Sequence, residues 1–211
     1  KSIKYDENKN RTQNFRLMPT EGNTIEFWLK KDAFDGTKTR NEVILDLWNN
    51  EVTSSSNYGR LTIYLRAVGN PIRATLRNGS QGFDDQAIAS SNFTVSSLTD
   101  SNWHHYAISF VSQSSSIKTY FYVDGDLENE LEIGSAGIDE ISGRVNARIG
   151  ALKTSPSGSS ALAGAGKLSG SIDEFRFWKA RRTSKQINLN WYRPVEGGSN
   201  TEDNNTSLGC Y

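Results

Sequence analysis

Residues 102–110 read Asn-Trp-His-His-Tyr-Ala-Ile-Ser-Phe, and the fold turns on how this stretch can be buried. Side chains alternate faces along a strand, so one buried face needs apolar residues only at every second position. From His104 to Phe110 they crowd both sets of positions, and Thr119–Val123 does the same. Such strands belong at the centre of a structure covered on both sides, as when a smaller sheet or long loops pack over a sandwich. Asp124-Gly125 then separates Ile117–Val123 from Asp126–Ile133. That dipeptide between two strand-like runs is a strong hairpin signal, because both residues tolerate the positive φ of a tight turn.

Working outward, Thr24–Lys30 alternates Ile25, Phe27 and Leu29 against Glu26, Trp28 and Lys30. Glu42–Trp48 sets Val43, Leu45 and Leu47 against Ile44, Asp46 and Trp48, and Leu61, Ile63 and Leu65 follow. After the Gly69-Asn70-Pro71 turn come Ile72, Ala74 and Leu76. Thr154–Gly166 reads as a long loop ahead of a strong strand at Lys167–Trp178. One helix is expected: Thr183-Ser184-Lys185-Gln186 has capping-box form, and Ile187 and Trp191 share a face at i, i+4 before Pro194 and the Gly197-Gly198 pair stop it.

The 211-residue chain is expected to form one β-sandwich domain over residues 1–198, followed by a polar segment, 199–211, leading into a further C-terminal stretch. Lysine plus arginine and aspartate plus glutamate both number 24, with no basic stripe, which argues against a nucleic-acid partner. No apolar run is long enough for membrane insertion by a helix. Cys210 stands alone and excludes an intrachain disulfide or a cysteine-based zinc site. Both ends read as cut from a longer polypeptide.

Three ordered segments resemble the laminin-G-like family: residues 102–110, Tyr122-Val123-Asp124-Gly125, and residues 170–178 (Gly-Ser-Ile-Asp-Glu-Phe-Arg-Phe-Trp), with Ala147-Arg148-Ile149-Gly150 between the last two. The resemblance runs from about Phe15 to Trp191 and implies an all-β, concanavalin A-like jelly-roll sandwich of two antiparallel sheets with one short C-terminal helix. Residues 24–31, Lys167-Leu168-Ser169-Gly170 and Asn200-Thr201-Glu202-Asp203 also resemble laminin-G-like domains in large virion structural proteins of marine tailed phages. This implies a virion or extracellular location and other subunits or domains of a larger assembly as partners.

Glucanases share that fold, and retaining glycosidases hold two carboxyl groups roughly 5–5.5 Å apart. The family's Glu-x-Asp-x-x-Glu pattern meets Ser171-Ile172-Asp173-Glu174-Phe175-Arg176 here. Ser171 stands at the nucleophile position, and strand alternation sends Asp173 and Glu174 to opposite faces, where they bond backbone or pair with Arg176 or Arg148. No catalytic residue is therefore assigned. His104 and His105 also point apart, cannot share a metal, and read as satisfied structural histidines. No cofactor is required. Laminin-G-like domains often bind calcium, which takes 6–8 oxygen ligands, and Asp46, Asp84 and Asp85 are the acids that would form a rim site.

Glycan sites join exposed aromatics to amides and carboxylates. Two loops fit: Trp48–Arg60, offering Trp48, Asn57 and Tyr58, and Asn78–Gln86, offering Phe83, Asp84 and Asp85. The competing reading has Trp48 and Tyr58 capping the core. The expectation is a non-catalytic module of a larger phage virion or surface protein, serving assembly and adhesion to host-surface glycan. The alternatives are a secreted lectin-like adhesion domain and, distantly, a glycoside hydrolase-like domain.

Overall fold

The computed structural model describes residues 15–34, 41–134, 137–154 and 166–194, together with the strand at 208–210. Among the described residues there are eleven strands: β1 (Asn23–Lys30), β2 (Glu42–Trp48), β3 (Gly59–Leu65), β4 (Ile72–Asn78), β5 (Gln81–Ala87), β6 (Trp103–Ser112), β7 (Ile117–Val123), β8 (Asp126–Ile133), β9 (Asn146–Ile149), β10 (Ser171–Trp178) and β11 (Leu208–Cys210). A one-turn helix α1 (Val95–Leu98) precedes β6, and α2 (Ser184–Asn190) follows β10. The strands make a six-stranded sheet, in the order β11-β10-β1-β6-β7-β8, and a five-stranded sheet, in the order β5-β4-β3-β2-β9. All pairings are antiparallel. This is the two-sheet jelly-roll sandwich expected.

The core lies between the sheets. Ile25, Phe27 and Leu29 of β1, Tyr106, Ile108 and Phe110 of β6 and Phe121 of β7 meet Leu45, Leu47, Leu61, Ile63, Leu65 and Leu76 from the smaller sheet, all essentially buried. The rings interlock, with Tyr106 and Phe121 stacked at 6.0 Å between centroids and Phe93 edge-on to Phe121 at 5.4 Å. The β7–β8 turn is a hairpin in which Asp124 (φ 50°) and Gly125 (φ 87°) both take positive φ. Gly125 is required twice over, since a Cβ there would lie 2.3 Å from Trp191 Cδ1.

Local patterning located most strands, and three differences have physical causes. Residues 78–86 are not a loop: Gln81–Ala87 is β5, paired with β4 through a turn at Gly79 (φ 55°). Phe83 is its one large apolar side chain, so an edge strand with a polar outer face showed no alternation. The outer cover of β6 and β7 is not a second sheet but α2, whose Ile187 packs on Ala107, Tyr120 and Tyr122. Within the segment 199–211, read as polar, Leu208–Cys210 forms β11 beside β10. The predicted loop 154–166 and the Gly197-Gly198 stop fall mostly or wholly outside the described residues.

The capping box of α2 forms as expected: Thr183 accepts from the Gln186 backbone N–H, and Gln186 Oε1 accepts from the Thr183 backbone N–H at 2.8 Å. Beneath this helix lies a buried charge cluster. Glu26 Oε1 sits 3.2 Å from Arg182 Nη1, Glu26 Oε2 sits 3.5 Å from Arg176 Nη1, and His105 Nε2 is 3.8 Å from Oε2. Burial opposes ionisation of Glu26 most strongly, yet His105, Arg182 and Arg176 together outweigh it and hold the carboxyl below the usual range. His105 is wedged between Trp28 and Trp191, with neither ring nitrogen hydrogen-bonded. The satisfied histidine expected at this position is buried but makes no hydrogen bond from its ring.

Candidate functional site

A concavity opens where the β2–β3 loop meets the β4–β5 turn. Its position is set by Asn49, which is 8% exposed and spends its whole side chain on the loop. Asn49 Nδ2 donates to the carbonyls of Asn57 (2.6 Å) and Ser142 (3.1 Å). Its Oδ1 accepts from the backbone N–H groups of Glu51 (3.2 Å) and Gly59 (3.0 Å). Within that frame Ser55 N–H donates to Val52 O and Tyr58 N–H to Ser55 O, so residues 52–58 form consecutive turns. Asn50 takes φ 67° to enter them.

The β4–β5 turn is bolted to this loop. Gly79 N–H donates to Tyr58 O at 2.6 Å, and a Cβ at Gly79 would lie 2.5 Å from Ser56 O. Only glycine, at positive φ and without a side chain, lets the two backbones approach so closely. Asn78 Nδ2 donates to the carbonyls of Asp139 and Glu140, fixing the far end of the turn to the 137–142 segment. The result is a cleft of about 460 Å³ lined by residues 53–56 and 77–81. Its side chains are hydroxyls, amides and one guanidinium, Arg77, with neither carboxylate nor aromatic ring.

The sequence named both loops but not the residues that line the cleft. Trp48 stands beside it, half-buried, donating from Nε1 to Glu51 O at 2.9 Å, with the Arg60 guanidinium 5.7 Å from its ring. Asn57 is exposed next to the lining, and Tyr58 is buried. Phe83 is a correction: it is 5% exposed and packs at 6.2 Å on Phe110 in the core, so it has no face to offer a ligand. Asp84 is exposed and pairs with Arg77 Nη1 at 2.5 Å. Asp85 is clasped by Arg73, by Arg66 at 3.0 Å and by the Tyr64 hydroxyl, contacts that hold its carboxyl below the usual range against the cost of burial. The missed signal was the Thr53-Ser54-Ser55-Ser56 run, a polar edge that carries no periodicity.

The three acids expected at a metal rim are not brought together. Asp46 is fully buried and accepts from Arg60 Nε and Nη2 (both 2.8 Å), Thr62 Oγ1 (2.9 Å) and the Lys153 backbone N–H (2.8 Å). Its four bonds saturate the carboxylate and staple β2 to β3 and to the strand-following segment at 153. Among the described residues no three His, Cys, Asp or Glu side chains are grouped to hold a metal ion. Nor does any described helix have the length and apolarity to cross a membrane.

At the positions where glucanases carry their acids, β10 holds a bulge: Glu26 pairs with Arg176 but Trp28 with Asp173, and Glu174 takes φ 48°. The bulge interrupts the alternation that would send Asp173 and Glu174 to opposite faces. Their separation of roles is instead set by bonding. Asp173 Oδ1 accepts from the Glu174 backbone N–H at 2.8 Å, and Glu174 Oε2 pairs with Arg176 Nη2 at 3.1 Å. Arg148, the other expected partner, donates to Leu152 O at 3.1 Å.

Sandwich, helix and motif order define a concanavalin A-like β-sandwich, and the comparison with known families agrees. Residues 6–188 match the family described as the concanavalin A-like lectin/glucanases superfamily, and the chain belongs to it. Among solved structures it is similar to the CBM40 module of a Ruminococcus gnavus IT-sialidase bound to α2,3-sialyllactose (14% identity, TM-score 0.52, covering 82% of this chain and 83% of that one). It is similar also to a carbohydrate-binding protein, so described, of Bacteroides ovatus (18% identity, TM-score 0.52, 92% of this chain and 46% of that one). A third is the receptor-binding domain of botulinum neurotoxin C/D mosaic serotype (13% identity, TM-score 0.51, 82% of this chain), of which the chain spans only 36%. At these identities the likeness is one of fold. No curated protein matches the chain by sequence.

Proposed function

We propose that this domain is a non-catalytic carbohydrate-binding module, one part of a larger adhesive protein outside the cell, and that it holds its glycan in the cleft between residues 53–56 and 77–81. The observation that carries the reading is the convergence of two polar loops, bolted together through Gly79, on a cavity of about 460 Å³, within the size range of small-ligand sites. Hydroxyl and amide groups of that kind match the hydroxyl pattern of a saccharide. Membership of a lectin-containing family supports the reading, as does the recurrence of the fold in carbohydrate-binding and receptor-binding domains.

The setting we propose is a virion or other surface assembly, following the resemblance of residues 24–31 and 167–170 to phage structural proteins; there the module contacts neighbouring domains as well as glycan. Calcium has no part in the proposal, because Asp46, Asp84 and Asp85 are each neutralised by arginine. The test is a glycan array followed by calorimetry. Ser54→Trp, at an exposed position, fills the cleft and is expected to abolish binding with the melting temperature unchanged. Trp48→Ala is expected to leave binding intact. Hydrolysis of a β-glucan, or array binding that survives Ser54→Trp, overturns the proposal.

A further inference from the structure

The chemistry of the cleft's wall is lopsided. Its one formally charged lining side chain is Arg77, while Thr53, Ser54, Ser56 and Ser80 present hydroxyls. A site that selects neutral sugars through their hydroxyls needs fixed acceptors to receive sugar O–H protons, and an aromatic face to cover the sugar's C–H surface. This cleft has no carboxylate and no ring in its lining. Its hydroxyls and amides can donate or accept, and its one charged group is a donor only, a guanidinium whose planar fork matches a carboxylate or sulfate.

Arg77 is also incompletely used. Nη2 donates to Gly79 O at 3.1 Å, Nη1 faces Asp84, and Nε is buried with no hydrogen-bond partner. Asp84 has 60% of its side chain exposed, so water screens the pair and a ligand anion can compete with it. The lining itself contributes no carboxylate to repel that anion.

We infer that the cleft is specific for an anionic saccharide, a pyranose bearing a carboxylate or a sulfate ester, with Arg77 receiving the acidic group and the serine and threonine hydroxyls bonding its remaining oxygens. The inference rests on the glycan-binding reading above and narrows it to one ligand class. It also makes Asp84 an internal competitor: the chain's own carboxylate occupies Arg77 until a ligand anion takes its place.

The experiment is calorimetric titration of the full chain with three oligosaccharides of matched length: a uronate, a sulfated glycan and a neutral glycan. Binding of the uronate or the sulfated glycan, weakening as salt is raised, is expected, with the better of the two naming the acid group. Arg77→Gln is expected to lower that affinity about 10- to 100-fold, the loss of a charge-assisted hydrogen-bonded pair. Asp84→Asn is expected to raise it. Thermal melts of both variants, and Arg77→Lys, which keeps the charge without the fork, separate a binding loss from a folding loss. Equal affinity for the neutral glycan, unchanged by Arg77→Gln, overturns the acidic specificity while the glycan-binding reading stands. Failure of all three saccharides, and of the array, overturns both.

Discussion

Glu26→Gln keeps the shape of a side chain at the middle of β1 but removes the one negative charge shared by Arg176 and Arg182. Both arginines are almost wholly buried, with side chains 2% and 5% exposed, and Glu26 is 1% exposed. Arg176 retains Glu174 at 3.1 Å, whereas Arg182 retains, among the described residues, the Gln186 carbonyl at 3.2 Å and the Trp178 ring, 4.1 Å away. Breaking a buried ion network by removing one member costs about 3–5 kcal/mol, because the remaining charges stay desolvated without compensation. For a domain near this size each kcal/mol moves the midpoint by about 2–4 °C, so the expected fall is about 6–20 °C. The assay is thermal unfolding by circular dichroism at neutral pH, repeated in high salt, which screens a buried cluster little. The carboxyl's folded pKa is depressed, so its stabilisation is present above the unfolded value and is lost as pH falls through the folded value. Wild type and variant therefore converge in acid. A neutral-pH midpoint within about 2 °C of wild type would refute the argument that this cluster anchors the helix.

Two further outcomes follow from the same geometry. His104 is held between Asp124 Oδ2 (2.7 Å) and Asp100 Oδ2 (3.0 Å), and although burial opposes its charge, these bonds raise its pKa above the ordinary 6.5. Its stabilisation is complete below the unfolded pKa and is lost as pH rises through the folded one. The midpoint difference between wild type and His104→Gln should therefore shrink on going alkaline, and a constant difference from mildly acid to alkaline pH would count against the ion pairs. Gly125→Ala places a methyl 2.3 Å from Trp191 Cδ1 at φ 87°, so it should destabilise by more than the roughly 1 kcal/mol of backbone strain alone, read by urea unfolding. If Gly125→Ala behaves as wild type, Trp191 is not seated on the hairpin.

The alternation of Ile25, Phe27 and Leu29, the doubly apolar run through Tyr106 and Phe110, the Asp124-Gly125 turn and the Thr183–Gln186 capping box were all legible in the chain. Each is a local signal: it depends on which face a side chain takes or on φ at one or two residues, and near neighbours supply the rest. β5 was not legible, because Phe83 is its one large core residue, and β11 lies in a stretch whose polarity suggested no strand. The Glu174 bulge was hidden too, since it changes which residue opposes Phe27 without changing composition. The candidate site was half legible. Its two loops were recognisable by their polar residues, yet periodicity records how deeply a residue is buried and not what it meets. That residues 53–56 face residues 77–81, that Phe83 turns inward, and that Glu26 finds Arg176 and Arg182 some 150 positions away were decided by sheet pairing. Pairing over such distances is fixed only when the whole core closes.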